Sequence, residues 1–223
     1  MTTLFRYPKT KHVRNIVPPT YKRYQSYKKA LRLEFGRVCV YCRWPDTDKP
    51  HGHWDYAVEH YRPKKKGLGF EHLERDYANL FYACAPCNVF KGEHWADTDF
   101  VPNPCDEVMF NHLQVSDAGE VNGKSTAGTN AVKLLHLNEP DAVRYRKKAA
   151  LTFSVHVTAL RDLDRVLARV RAAPDNHPQI ARIKTLLAEK SEERALTLEV
   201  LTDLCGTVDA RNEVLESLGY RVS

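Results

Sequence analysis

The chain has 223 residues, of which 43% are hydrophobic and 28% are charged, as is ordinary for one globular domain with an appendage or two small ones. The mean hydropathy is -0.52, and no apolar run approaches the ~20 residues of a bilayer span, which argues against a membrane protein or a membrane partner. The basic N-terminus has no apolar segment after it, so we expect a soluble, unexported, cytoplasmic protein.

The net charge of +6 is concentrated at the front of the chain. The residues up to Leu33 include nine basic side chains and no acid, and the part through Arg75 holds 17 basic residues against 7 acids. Such a basic region favours a polyanion such as nucleic acid, because neutralising phosphates releases counterions. A solvated surface without a partner is the alternative.

The first predicted element is an amphipathic helix over Thr20–Phe35, which ends before Gly36.

Four of the six cysteines form two C-x2-C pairs, Cys39 with Cys42 and Cys84 with Cys87. Without a secretory signal the thiols are expected to stay reduced, and two such pairs are typical of a tetrahedral structural zinc site. A redox C-x2-C motif is the alternative, but it needs one pair only. Cys105 and Cys205 have no cysteine neighbour and are predicted to be core residues.

Between the cysteine pairs and after them, the pattern predicts short elements followed by a helical tail. A strand over Tyr56–Tyr61, a basic loop, a strand over Asn79–Cys84 and a helix over Pro86–Lys91 give the order strand, loop, strand, helix. Further on, the sequence predicts a hairpin between Val108–Val115 and Glu120–Asn122. A helix over Asn130–Leu137 follows it, and a long helix begins beyond Pro140. Pro174 and Pro178 break the long helix; we expect a helix over Ile180–Lys190 and another that opens at Ser191 and ends near Gly206.

Two segments concentrate the chemistry, Glu59–Lys64 (EHYRPK) and Asn79–Gly92 (NLFYACAPCNVFKG). From about Val38 to Gly92 the chain resembles the HNH endonucleases of the ββα-metal superfamily, in which zinc knuckles bracket an acid–His pair and a later Asn. The variant resembles the small HNH proteins of bacterial Septu-type and retron-associated anti-phage systems, where the nuclease is paired with an ATPase. The resemblance implies an α+β fold with an HNH core, a four-cysteine zinc site and helical flanks.

The residues themselves predict how such a site would work. Phosphodiester hydrolysis needs a base for the attacking water and a cation for the developing charge. His60 is the candidate base, because a neutral imidazole takes a proton near physiological pH. Glu59 and Asn88 are candidate ligands of Mg²⁺ or Mn²⁺, since carboxylate and amide oxygens suit hard cations. We expect Glu59→Ala to leave the fold intact. By the resemblance, Asn79 orients the loop and the histidine.

Each of these assignments has a structural alternative. His60 could be a core histidine, Asn88 a helix cap and Asn79 a turn residue. The predicted phosphate contacts, for which a solvated loop is the alternative, are Arg62, Lys64, Lys65, Lys66 and Lys91.

We therefore predict a basic N-terminal segment and helix over 1–37, an HNH nuclease core over 38–139 and a helical region over 140–223. The predicted activity is cleavage of DNA or RNA to leave, by resemblance, a 5′-phosphate and a 3′-hydroxyl. One rival is a non-catalytic zinc-ribbon module that binds nucleic acid. Another is an interaction subunit whose nuclease stays quiescent until an ATPase releases it. The acidic helical tail is predicted to carry the protein contact, with packing against the core as the alternative.

Overall fold

The computed structural model describes residues 4–98, 100–172, 174 and 178–220, so the outermost residues of the predicted N- and C-terminal segments lie outside it. The chain divides into two units with the boundary after Lys148. In the described part, no helix is both long and apolar enough to cross a membrane. The architecture is mixed, with two separate two-stranded antiparallel sheets and six α-helices among the described residues.

The basic N-terminal segment is built into the first unit. Phe5 and Tyr7 are buried, and the Tyr7 hydroxyl donates to the carbonyl oxygen of Tyr41 at 2.8 Å. The Arg14 guanidinium donates to the Leu80 carbonyl oxygen at 2.8 Å. A 3₁₀ turn over Tyr24–Tyr27 leads into helix α1 (Lys28–Glu34). The α-helix therefore begins later than predicted, because the turn that precedes it is 3₁₀ and its N-cap residue, Arg23, makes no side-chain capping hydrogen bond.

A hairpin followed at once by a helix forms the centre of this unit. Strand β1 (Tyr56–His60) pairs antiparallel with β2 (Leu80–Cys84), and helix α2 (Ala85–Lys91) continues directly from β2. The register places Tyr56 opposite Cys84 and His60 opposite Leu80. The sequence order favours this layout, because a proline in the first turn suits a helix start and Gly92, with a φ of 50°, ends it. The predicted order of strand, loop, strand and helix is thus present.

Strand β2 is buried along its whole length, which explains its unbroken apolar sequence. Phe81 packs edge-on against Phe35, just beyond α1, and Tyr82 stacks on Tyr56 of β1. Asp46 is fully buried and connects the segment after the first cysteine pair to helix α1 and strand β2. It accepts hydrogen bonds from Arg32 of α1 at 2.6 Å and from the Tyr82 hydroxyl at 2.7 Å. The segment that follows Cys39 and Cys42 is therefore held against β2.

A second hairpin and a helix complete the first unit. Strand β3 (Leu113–Val115) is shorter than predicted, strand β4 (Val121–Gly123) is shifted by one residue, and helix α3 (Thr126–Leu134) begins earlier because Ser125 caps it through the Gly128 amide. A Cβ at Gly128 would lie 1.9 Å from the His112 carbonyl oxygen, so only glycine permits this close approach.

The second unit is helical. Helix α4 (Pro140–Arg171) enters it and is followed by α5 (Ile180–Cys205) and α6 (Val208–Ser217). Asp164 of α4 accepts a hydrogen bond from Arg194 of α5 at 2.6 Å. The prediction of a separate helix opening at Ser191 is wrong. Helix α5 is continuous there, because neither Gly nor Pro interrupts it and Lys190 pairs with Glu193 across the join. Helix α6 has no counterpart among the predicted elements.

Candidate functional site

The two cysteine pairs come together at the end of β2. The first pair lies in a turn fixed by hydrogen bonds from the Cys39 amide to the Trp44 carbonyl oxygen and from the Val40 amide to the Tyr82 carbonyl oxygen. Cys84 ends β2, and Cys87 lies in the first turn of α2. The four sulfur atoms all lie within 4.8 Å of one another. The prediction that the two pairs converge is therefore confirmed.

The spacing of these sulfur atoms suits zinc. Bonds of about 2.3 Å from zinc to each thiolate in a tetrahedron put neighbouring sulfurs about 3.8 Å apart. The Cys42 and Cys84 sulfurs are 3.7 Å apart. Because all four donors are cysteines, an ion held here has no open position for water or substrate, which is typical of a structural site. The cluster could hold a zinc ion that joins the knuckle to the junction of β2 and α2.

His60 ends β1 and is 9% exposed. Its Nε2 lies 2.9 Å from the Glu74 carbonyl oxygen, and its ring meets the Tyr24 ring edge-on with centroids 4.6 Å apart. A carbonyl oxygen only accepts, so Nε2 carries the hydrogen of the neutral ring and Nδ1 keeps its lone pair. No hydrogen bond to Nδ1 is found within the described ranges. Burial lowers the pKa of His60, and Lys64 acts in the same direction. The neutral, proton-accepting form is thus favoured.

Asn79 fastens the chain that follows His60. Its Oδ1 accepts a hydrogen bond from the Arg62 amide at 2.8 Å, and its Nδ2 donates to the carbonyl oxygens of Arg62 at 3.0 Å and Leu73 at 3.4 Å. Its own carbonyl oxygen accepts from the Tyr61 amide at 3.0 Å. The buried Asn79 therefore fixes both the backbone after β1 and the segment that supplies the His60 partner.

Glu59 was predicted to bind the catalytic cation, but both of its carboxylate oxygens have partners within the protein. Neighbouring strand residues point to opposite faces, and the Glu59 side chain is buried where His60 does not point. Its Oε1 lies 2.6 Å from the Lys91 ammonium, and its Oε2 accepts from the Tyr41 hydroxyl at 2.6 Å. Burial raises the pKa of Glu59, while Lys91 opposes that rise. With both oxygens engaged, Glu59 does not fit as a ligand of a catalytic cation in this arrangement.

The Lys91 ammonium also donates to the His60 carbonyl oxygen at 2.7 Å, and the side chain is completely buried. Lys91 was predicted to contact phosphate; here α2 turns this last residue inward, where its ammonium pairs with Glu59. Asn88 lies directly after Cys87 in α2 and is partly exposed. In the part of the chain that the structure describes, no hydrogen bond joins the Asn88 side chain to Glu59 or His60.

The remaining basic residues form an exposed loop beside His60. The Arg62 guanidinium lies over the rings of Phe70 and Trp95, at 5.6 and 5.5 Å. Lys64 donates to the Tyr24 hydroxyl at 2.9 Å, next to the His60 ring. Lys65 pairs with Glu93 at 3.3 Å, and Lys66 is exposed. The structure thus brings Arg62 and Lys64 to the surface around His60.

Two members of this site were missed at the sequence level. Tyr24 was included only within the predicted helix over Thr20–Phe35, and its contact with His60 depends on where the 3₁₀ turn lies against β1. Glu74 acts through its backbone carbonyl, for which residue type carries no signal.

About half of this chain is similar in sequence to two curated proteins that carry the same name. It is 31% identical over 123 residues to a protein named Septu protein PtuB from Bacillus thuringiensis, which covers 54% of this chain and 45% of that protein. It is 25% identical over 155 residues to another Septu protein PtuB, from Bacillus mycoides (strain KBAB4), covering 56% of this chain and 51% of that one. The chain thus spans about half the length of these curated relatives. No family model and no solved structure matches it.

Proposed function

We propose that this chain is an endonuclease of the HNH type that hydrolyses phosphodiester bonds and acts in Septu-type anti-phage defence. The observation that carries the proposal is the setting of His60. Its imidazole lies at the end of β1, with Nε2 bound to a backbone carbonyl oxygen and Nδ1 free to accept a proton. The relatives named Septu protein PtuB support the defence role.

The local architecture agrees with the resemblance described above. An antiparallel hairpin continues directly into a helix, the candidate base ends the first strand, and the cysteine cluster fastens the junction of the second strand and the helix. Asn79 occupies the position of the central Asn and makes the loop-fastening bonds that the resemblance implies for it. A zinc-ribbon module alone would not require an imidazole with a fixed tautomer beside a loop fastened in this way.

The proposed chemistry uses the groups that this chain holds in place. The Nδ1 lone pair of His60 takes a proton from a water molecule, whose oxygen attacks the phosphorus, and the bond to the 3′ oxygen breaks. The protonated ring keeps its Nε2 hydrogen bond to Glu74, so the ring does not rotate during transfer. In this proposal the exposed side chains of Arg62 and Lys64 bind neighbouring phosphates.

A divalent cation, when bound, would stabilise the charge that develops on the leaving oxygen. Glu59 does not fit as its ligand, because Lys91 and Tyr41 hold both carboxylate oxygens. Asn88 is partly exposed, directly follows Cys87 of the cysteine cluster, and is the remaining protein ligand of the predicted pair. Dependence on Mg²⁺ or Mn²⁺ therefore stays part of the proposal.

The test is cleavage of plasmid DNA, single-stranded DNA and tRNA, with and without Mg²⁺ or Mn²⁺, by the parent protein and His60→Ala. Losing a positioned base costs about 10²- to 10⁴-fold in rate, so we expect cleavage to fall by that factor while affinity for nucleic acid stays nearly unchanged. Cleavage retained by His60→Ala would show that the active site lies elsewhere in the protein. Binding without cleavage by the parent protein would instead favour the non-catalytic module, or a nuclease that needs its partner.

We further propose that an ATPase is the partner and that the second unit contacts it. On helix α5, the apolar side chains of Leu196 and Val200, four residues apart, are 57% and 37% exposed. Such spacing suits helix docking. Leu196→Asp should abolish co-purification with a co-expressed candidate ATPase partner, while an exposed apolar control in the first unit, Leu33→Asp, should not. If both variants bind the ATPase normally, the exposed residues of the second unit do not form the contact and the unit has a structural role.

A further inference from the structure

Trp54 presents its indole to solvent in a way that the other two tryptophans do not. Its side chain is 77% exposed. Trp44 is stacked on Tyr145 with ring centroids 3.6 Å apart, and Trp95 packs among the rings of Tyr61, Phe70 and Phe100. The exposed indole offers a flat aromatic face on which a ligand can stack.

The backbone that carries this indole is fixed. Trp54 lies in a 3₁₀ turn over Gly52–Asp55 that leads directly into β1, the strand that ends at His60. The Trp54 amide donates to the His51 carbonyl oxygen at 3.1 Å. The neighbouring acid, Asp55, has His51 as its partner, with Oδ1 3.4 Å from the imidazole Nδ1. The turn thus fixes the backbone at Trp54, and the adjacent carboxylate of Asp55 has a partner.

Cations and a second aromatic ring connect Trp54 with His60. The Lys28 ammonium lies 5.7 Å from the centre of the indole ring. Four residues earlier, Tyr24 meets the His60 ring at 4.6 Å and receives the Lys64 ammonium at its hydroxyl. Aromatic faces and positive charges therefore alternate along the surface from Trp54 through Lys28, Tyr24 and Lys64 to His60.

This alternation matches the chemistry of an unpaired nucleic-acid strand. Single strands are bound by aromatic side chains on which bases stack, combined with cations that follow the phosphates. Bases in a duplex are stacked on one another and cannot place a face on the indole. A protein partner would be the other class of ligand for an exposed tryptophan. The flanking lysines and the continuity with His60 favour the nucleic acid.

We propose that Trp54 is a stacking platform for an unpaired base of the strand cleaved at His60, with Lys28 binding an adjacent phosphate. This inference rests on the proposed function and narrows its substrate to nucleic acid that is single-stranded beside the cleavage site.

The test measures binding separately from cleavage, in full-length His60→Ala protein without added divalent cation. The probes are fluorescent oligothymidylate, oligouridylate and a duplex of equal length. We expect Trp54→Ala to weaken binding of the single strands by about five- to hundred-fold, the range that losing one stacked base implies, and to leave duplex affinity unchanged within about twofold. The DNA and RNA probes show which sugar the surface accepts.

Trp54→Phe keeps an aromatic face and should retain most of the affinity, while the quenching of tryptophan fluorescence by the oligonucleotide should disappear. Leu33→Ala, which removes another exposed apolar side chain of the first unit, should bind like the parent. Circular dichroism and thermal unfolding check each fold, and we expect little change because the indole is exposed.

Unchanged single-strand affinity in Trp54→Ala would overturn the inference and leave the indole to a protein contact. Equal losses for single strand and duplex would also overturn it, because stacking could not be the cause. Failure of the proposed function looks different: the parent protein would then cleave no substrate, whether or not single-strand binding depends on Trp54.

Discussion

The Lys91 ammonium lies 2.6 Å from the Glu59 carboxylate, and both side chains are closed off from solvent. Lys91 is the last residue of α2, and Glu59 lies next to the end of β1. The same ammonium donates to the His60 carbonyl oxygen at 2.7 Å. The pair therefore attaches the end of the helix to the backbone of the candidate base, and it gives Glu59 a role in the fold.

Glu59→Ala should consequently destabilise the protein, contrary to the sequence-based expectation that this variant keeps its fold. Removing one member of a buried ion pair leaves the other charge uncompensated and costs about 3–5 kcal/mol. Urea unfolding of the zinc-loaded protein measures this loss. The double variant Glu59→Leu/Lys91→Met is the control, since apolar replacement of both partners is often nearly neutral. Parent-like stability of Glu59→Ala would show that the pair contributes nothing.

Cys84→Ser should unfold the first unit or strongly destabilise it. Zinc binding by such clusters is coupled to folding, so a missing thiolate weakens both together. Bound zinc per chain and circular dichroism measure the two effects. Cys205→Ser is the matched control, because Cys205 lies outside the cluster. A well-folded Cys84→Ser protein with a full complement of zinc would contradict the assignment.

Asn79→Ala should impair cleavage more than binding. Three side-chain hydrogen bonds disappear, which costs about 1–3 kcal/mol in stability, and a displacement of the His60 loop by about 1 Å would reduce the rate by about 10²-fold. Single-turnover cleavage and oligonucleotide affinity measure the two effects. Asn79→Asp keeps the acceptor for the Arg62 amide but sets a carboxylate oxygen against the carbonyl oxygens of Arg62 and Leu73, so it should be at least as impaired as Asn79→Ala. Full activity of Asn79→Ala would refute the role of this side chain.

The pH profile of cleavage should reflect the environment of His60. Burial lowers its pKa below the ordinary value of 6.5. The base must be neutral, so the rate should be constant above that pKa and fall as the pH drops through it. The midpoint of the acidic limb in single-turnover reactions is therefore expected below 6.5. The same acidic limb in the residual activity of His60→Ala would exclude His60 as the titrating base.

The sequence was most informative where residue type alone specifies the chemistry. Cysteine pairs with a spacing of two indicate a shared ion wherever the chain brings them together, and the sulfur atoms do converge. The apolar residues of β2 and the proline and glycine around α2 were likewise sufficient to predict a strand followed by a helix. At these positions the local signal and the final fold agree.

Contacts between distant positions were not predictable in this way. Glu59 and Lys91 are far apart along the chain, and nothing in their spacing distinguishes a buried pair from a cation ligand beside a phosphate contact. The bond from His60 to the Glu74 carbonyl oxygen uses the backbone, which every residue offers. At Ser191 the opposite error arose, because a sequence typical of a helix start also fits inside a continuous helix.

The placement of the cysteines has a topological consequence. A zinc ion bound by both pairs closes the chain between Cys42 and Cys84 into a ring that contains β1, His60 and the basic loop. Lengthening a closed ring costs little free energy, about 0.6 kcal/mol for each doubling of its length. Gly67 and Gly69, where an added Cβ would meet no atom within 4 Å, lie in this ring. The segment around them can therefore accept inserted residues, and with them new substrate contacts, while the metal keeps the two ends of the ring together.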